Sequence, residues 1–415
     1  MENYKKTFTK IFAGQTISLL TSAIVQYAII WYLTFKTGSA MVLAFATIAG
    51  ILPQILLGPF AGVLVDRLDR KKVMMASDSL VAFSTFILVI IFMIREPSIW
   101  EMCFILAIRS IGTTFHTPSF QASIPLLAPE DKIVKIAGVN QTINSISLIV
   151  APIVAGILYG VIQTEYIIMI DIIGALCGVG SLLLVKVPSP KKSLENVHVF
   201  REMKEGALEL KNSKFLLYMT IFVVMISILF MPIGSMFPLI TSTYFKLEAI
   251  HASLVEAVFS VGMLIGGVLI ATWGGFPKKQ YTLIISMLIF GVVLTIMGVV
   301  PVNLFWIFVI LAGIAGVTSP FFQGIYIAIL QLEIAPEKLG RVFSMVMSLM
   351  LIATPIGLLA TAPIAEKIGV EKMFVISGIL IILTCIISLC SKTIRKEEIK
   401  VSDKIETIGE QKNEV

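Results

Sequence analysis

The sequence predicts an all-α polytopic membrane protein with twelve transmembrane helices in two six-helix bundles. Three observations predict it. The chain of 415 residues is 57% hydrophobic and only 14% charged, against about 25% charged in soluble domains. Apolar runs follow one another along the whole length, most of them near the roughly 20 residues a helix needs to cross the hydrocarbon core. Landmarks in the first half also recur in the second at a near-constant offset. Lys71-Lys72 is answered by Lys278-Lys279, and Ala128-Pro129-Glu130 by Ala335-Pro336-Glu337, both 207 residues on; Pro152 is answered by Pro355 after 203 and Thr117-Pro118 by Ser319-Pro320 after 202.

In chain order, the expected spans are residues 11–35, 41–65, 73–94, 99–117, 136–160 and 166–187, then 215–241, 252–273, 281–300, 304–330, 342–365 and 373–390. The first run is too long for a signal-peptide core and has no small-residue cleavage site, so it reads as an uncleaved span. The expected domains are an N-terminal bundle (1–187), a cytoplasmic linker (188–214), a C-terminal bundle (215–391) and a disordered tail (392–415). In the linker, Phe200, Met203, Ala207 and Leu210 fall on one helical face, which predicts a surface amphipathic helix. A duplicated six-helix unit suits a transporter whose two similar bundles rock about a central site.

Charge sets the expected orientation. With the N-terminus inside, the inner loops hold 26 lysines and arginines and the outer loops 5, leaving Arg109 within a span. Both termini are therefore expected to be cytoplasmic, in a multi-pass cell-membrane protein. The net charge of +6 lies in short loops and forms no nucleic-acid footprint. The four cysteines (Cys103, Cys177, Cys385, Cys390) fall inside apolar runs without metal or redox spacing and read as packing residues. There is no phosphate-binding lysine loop, no H-E-x-x-H and no G-x-S-x-G, so no enzyme and no direct ATP drive is expected.

The stretch Gly58-Pro59-Phe60-Ala61-Gly62-Val63-Leu64-Val65-Asp66-Arg67-Leu68-Asp69-Arg70-Lys71-Lys72 marks an abrupt exit from the bilayer, with four cations in six residues. It resembles the loop between helices 2 and 3 of the major facilitator superfamily, roughly G-x-x-x-D-R-x-G-R-K. Gly62, Asp66, Arg67, Arg70, Lys71 and Lys72 match, and Asp69 stands where the family has glycine. The resemblance implies that Asp66 docks onto the start of span 11, here near Leu339-Gly340-Arg341, and latches the cytoplasmic side. The second copy, Trp273-Gly274-Gly275-Phe276-Pro277-Lys278-Lys279, lacks the Asp-Arg pair, so one strong latch is expected. Gly62, Asp66, Arg67, Arg70 and Lys71 are the candidate gating residues.

Ionisable residues inside spans are costly and therefore candidates for function. Arg109 lies about 15 Å into span 4 at roughly 1.5 Å per residue, near the midplane. A guanidinium there would hold a nearby carboxylate ionised until a proton or substrate competes for it. Asp171 in span 6 and Glu256 in span 8 are the candidate proton or cation carriers. Asn140, Asn144 and Ser147 share a face of span 5 and suit a cavity lining. Asp78, near the inner end of span 3, is expected to pair with the basic loop; His116 is a further relay candidate. Arg109, Asp171, Glu256, Asn140 and Asn144 form the candidate coupling and substrate set.

The resemblance narrows at Arg109-Ser110-Ile111-Gly112-Thr113-Thr114-Phe115-His116-Thr117-Pro118, together with Ala13-Gly14-Gln15, Thr37-Gly38-Ser39-Ala40-Met41-Val42-Leu43 and Leu339-Gly340-Arg341-Val342-Phe343-Ser344. These segments look like the macrolide-efflux (Mef-type) branch of the superfamily, and the likeness runs through spans 1 to 12. It implies a proton-coupled antiporter that exports macrolide antibiotics or similar bulky drugs by alternating access, without a cofactor beyond the proton gradient. The implied partners are a small-molecule drug, protons and the lipid bilayer, with no nucleic acid, and the chain is expected to be a monomer. The competing readings are a carrier for a lysophospholipid or other native metabolite, and a non-transporting membrane sensor.

Overall fold

The computed structural model describes residues 2–127, 132–185 and 199–396. Fifteen α-helices and one short 3-10 turn make up the described secondary structure. The first six are α1 (Glu2–Thr37), α2 (Ala40–Arg67), α3 (Arg70–Ile94), α4 (Ile99–Leu127), α5 (Ile133–Val161) and α6 (Thr164–Leu183). A shorter α7 (Val199–Asn212) lies in the stretch read as the linker. Then come α8 (Lys214–Ser235), α9 (Phe237–Thr243), α10 (Ala249–Trp273), α11 (Lys279–Val299), α12 (Phe305–Glu333), α13 (Pro336–Ile368), α14 (Val370–Cys390) and α15 (Lys392–Lys396). The tail beyond Lys396 and the segment Ala128-Pro129-Glu130 lie outside the described residues.

Among the described residues, eleven helices are long and apolar enough to cross a membrane. The expected span missing from these eleven is the fourth, α4. It has the length, but Arg109, Ser110, Thr114, Ser119 and Ser123 are all buried along it. Its polar content faces its neighbours, which is why its apolarity falls short. The seventh expected span is interrupted instead of continuous: α8 ends at Ser235 and α9 restarts at Phe237, with Met236 as its N-cap residue. Pro232 and Pro238 flank the break, and neither can donate a ladder hydrogen bond.

The helices are apolar outside and mixed inside, as lipid solvent requires. On α3, Leu80, Phe83, Phe86 and Ile87 are exposed while Ser77, Asp78, Ser84 and Thr85 are buried. On α6, Asp171, Gly174, Gly178 and Ser181 form one buried stripe. A Cβ on Gly178 would sit 3.1 Å from Ser18 Cβ on α1, so the missing side chain is what lets α1 and α6 approach. Such small-residue contacts replace the hydrophobic drive that lipid does not supply.

Two compact units result. One holds residues Met1–Val197, Gly234–Ala257 and Leu358–Val370; the other holds His198–Ile233, Val258–Gly357 and Glu371–Val415. In the first unit, apolar cores form between α1, α2, α3, α4 and α6 (Val25, Ile29, Leu33, Ala46, Leu88, Leu106, Ile168) and between α1, α5 and α6 (Ile24, Ala28, Ala151, Ala155, Ile167). The face opposite the N-terminus is tied by Glu366 near the end of α13. Its carboxylate accepts from Ser39 Oγ (3.1 Å), the Ala40 amide (2.6 Å) and the Met41 amide (3.3 Å), at the first turn of α2. In the second unit, α7 lies on the start of α13 through Arg341–Glu205 and Lys338–Glu209 ion pairs, both 2.9 Å.

The basic loop also has a local logic. Asp69, where the family has glycine, is the N-cap of α3 and accepts from the Lys72 amide at 3.3 Å. In the second copy the turn after α10 is made by Gly274 (φ 73°) and Gly275 (φ 83°), a left-handed path that an Asp-Arg pair would strain.

Candidate functional site

The site is built in the first unit from α1, α3, α4 and α6. Arg109 of α4 is 3% exposed and Asp171 of α6 fully buried; the two form a direct ion pair from Nη1 to Oδ2. Thr85 of α3 accepts from Arg109 Nη1 (2.6 Å) and donates to Asp171 Oδ2 (2.9 Å). Ser22 of α1 donates to Asp171 Oδ1 (2.5 Å), and its carbonyl accepts from Arg109 Nη2 (3.0 Å). Both carboxylate oxygens and both terminal guanidinium nitrogens are therefore used. Arg109 Nε is buried without a hydrogen-bond partner among the described residues, so these bonds offset only part of the cost of burying the pair.

A cavity of about 320 Å³ opens beside this pair, lined among others by Ser22, Gln26, Gln54, Asp78, Arg109 and His116. Arg109 thus sits in the cavity wall, while Asp171 stands behind it. A smaller cavity of about 40 Å³ lies nearer the N-terminal end of α1, lined by Gln15, Phe120, Gln121, Asn140 and Asn144 among others. The two cavities share Leu19, His116 and Thr117.

The structure therefore brings Arg109 and Asp171 together, and places Asn140 and Asn144 at the second cavity. Glu256 is half-buried on α10 and makes no hydrogen bond or ion pair among the described residues. Of the loop residues, Gly62 is exposed with open space around it. Arg70 Nη1 donates to the Ala122 carbonyl and Lys71 Nζ to the Val185 carbonyl, each at 2.7 Å. The side chains of Asp66 and Arg67 lie outside the described residues, so the expected latch does too.

One expectation is corrected. Among the described residues, Asp78 pairs with none of the basic loop. Its Oδ1 lies 3.4 Å from Ser18 Oγ and 3.5 Å from His116 Nε2, and its Oδ2 is buried without a hydrogen-bond partner. Nearness along the chain suggested the loop, but the helical face of Asp78 turns it inward. The signal that finds it is spacing: Asp78 is seven residues from Thr85, and His116 seven from Arg109, two helical turns on the same faces.

A polytopic α-helical bundle with a buried ion pair beside an internal cavity is the architecture of a membrane transporter. The chain belongs to the Major Facilitator Superfamily, whose family model matches residues 11–275 and 233–413, and within it to the Mef-type branch. It is 43% identical over 400 residues to "Macrolide efflux protein A" of Streptococcus pyogenes, covering 96% of this chain and 99% of that one. It is 41% identical over 323 residues to the protein of the same name from Enterococcus faecalis, covering 77% and 100%. Among solved structures, a bacterial homolog of the human lysosomal transporter Spinster, inward-facing and unoccupied, matches with a TM-score of 0.69 at 14% identity over 95% of this chain and 98% of that one. A bacterial homologue of the iron transporter ferroportin matches with a TM-score of 0.69 at 15% identity, covering 92% and 98%. These two show the fold alone. The chain is a transporter and not an enzyme.

Proposed function

We propose that this protein is a proton-coupled antiporter that exports macrolides or similar bulky drugs across the cell membrane by alternating access, with both termini cytoplasmic. The observation that carries the reading is the buried Arg109–Asp171 pair in and behind the wall of a cavity, in a chain 43% identical to a macrolide efflux protein. A fixed charge pair at that depth gives the bundle a centre around which proton and drug binding can be made mutually exclusive. The cycle needs no cofactor and draws on the proton gradient. One chain holds both halves of the duplicated unit, so a monomer suffices.

The test is accumulation of labelled erythromycin in cells expressing the chain. Lower accumulation, abolished by a protonophore and by Arg109→Ala, is the expected result. Accumulation equal to that of cells without the protein would remove macrolides as cargo, and lysophospholipids would be tested next. A protonophore-insensitive decrease would remove proton coupling while leaving export.

A further inference from the structure

The polar interior of the first unit is layered. Ser22 (α1), Thr85 (α3), Arg109 (α4) and Asp171 (α6) form one layer. Seven residues away on every one of these helices stand Gln15, Asp78, His116 and Gly178. These also touch one another. Gln15 Nε2 donates to the Gly178 carbonyl at 3.2 Å, and Gln15 Oε1 is 2.7 Å from His116 Nε2. His116 Nε2 is 3.5 Å from Asp78 Oδ1. Seven residues is about 10 Å along a helix, so a second polar layer lies two turns nearer the N-terminal face.

The two layers differ in charge. In the first, a carboxylate is matched by a guanidinium that does not lose its proton. In the second, the carboxylate has no lysine or arginine partner among the described residues. Asp78 is faced by Ser18 and Gln15 from α1, by His116 and, two turns away, Arg109 from α4, and by Gly178 and the Asp171 carboxylate from α6. Its residue is 7% exposed, and its Oδ2 is buried without a partner. A buried ionised oxygen without partners is costly, whereas a carboxyl that gains and loses a proton is not held in that state. A Cβ on Gly178 would lie 2.8 Å from this Oδ2, so the oxygen occupies room left by the missing side chain.

We propose that Asp78, with His116 beside it, is the group that takes up and releases the transported proton, and that the Arg109–Asp171 pair stays charged throughout the cycle. This rests on the antiporter reading. A hydronium ion in the larger cavity gives its proton to the Asp78 carboxylate, which becomes neutral, and leaves as water. The imidazole, whose Nε2–H donates to Gln15 Oε1 at rest, turns its free Nδ1 to the neutral carboxyl and takes the proton there, leaving carboxylate and imidazolium. The imidazolium turns back, gives the Nδ1 proton to water in the smaller cavity, past Asn140 and Asn144, and returns to neutral as that water becomes hydronium. His116 is placed for this because it lines both cavities.

The experiment uses the full chain, purified and reconstituted. Asp78→Asn is isosteric and keeps the Ser18 contact, so it is expected to fold. The infrared band of a protonated carboxyl, followed through a pH titration, is expected in the parent protein and lost in Asp78→Asn. In proteoliposomes the same variant is expected to lose uphill transport of labelled erythromycin driven by a pH gradient. His116→Gln is expected to keep the band and slow the uphill transport. A band that survives in Asp78→Asn but disappears in Glu256→Gln or Asp171→Asn overturns the proposal, as does wild-type uphill transport by Asp78→Asn. If the parent moves no erythromycin yet loses its band with Asp78→Asn, the proton site stands and the macrolide reading falls. Should Asp78→Asn aggregate, the His116→Gln transport rate decides: a rate equal to that of the parent overturns the relay.

Discussion

Arg109 is held by three helices other than its own, through the side chains of Asp171 and Thr85 and the carbonyl of Ser22. Removing it alone strands a buried carboxylate. Breaking one side of such a pair costs about 3–5 kcal/mol, while replacing both sides is often nearly neutral. Arg109→Ala is therefore expected to lower the thermal unfolding midpoint in detergent clearly, and Arg109→Gln with Asp171→Asn to recover most of the loss. Equal midpoints for the single variant and the parent would show that the pair carries no structural weight. Both residues were legible in the sequence, because a charge far inside an apolar run needs a reason. Their pairing was not, since 62 residues separate them and only helix packing joins them. Asp78 was legible as a charge but was given the wrong neighbour. Six residues from Lys72 along the chain, it faces His116 across the bundle.

Helix ends and helix contacts carry the next level. Ser39 caps α2 with its own side chain, accepting from the Val42 amide, and Glu366 adds a carboxylate at the same N-terminus. An anion there is favourable for the helix dipole by roughly 0.3–1 kcal/mol. Glu366→Gln is thus expected to destabilise modestly and Glu366→Ala more, read as denaturation midpoints in a graded detergent series. A stability gain on Glu366→Ala would contradict the capping role. In the second unit, α10 and α12 touch backbone to backbone. A Cβ on Gly316 would come within 2.1 Å of the Phe259 carbonyl, and one on Gly262 within 2.2 Å of the Gly313 carbonyl. Backbone cannot yield as a flexible side chain does, so Gly316→Ala is expected to cost about 1–3 kcal/mol. Gly267→Ala, where nothing lies within 4 Å, is expected to be near neutral in the same assay. The break between α8 and α9 follows from Pro232 and Pro238, although the apolar run alone reads straight through it.

At the scale of the molecule, orientation is the prediction that remains. A tag at either terminus is expected to stay hidden from antibody on intact cells and to become reachable after permeabilisation. Surface staining of intact cells would reverse the assigned topology. Composition and the apolar runs by themselves determined a helical, multi-pass membrane protein, and the recurring landmarks at offsets of 202 to 207 residues pointed to a duplicated unit. Those signals are local: a span is recognised by its own length and apolarity, a loop by its own cations, and a repeat by comparing two stretches. Tertiary structure alone decided which polar residues meet. It paired Arg109 with Asp171, set Asp78 beside His116, aligned Gln15, Asp78, His116 and Gly178 into a second layer, and put Glu366 at the start of α2. Each of these contacts joins helices distant in the chain, and their azimuths come from packing small residues against one another, which no single helix encodes.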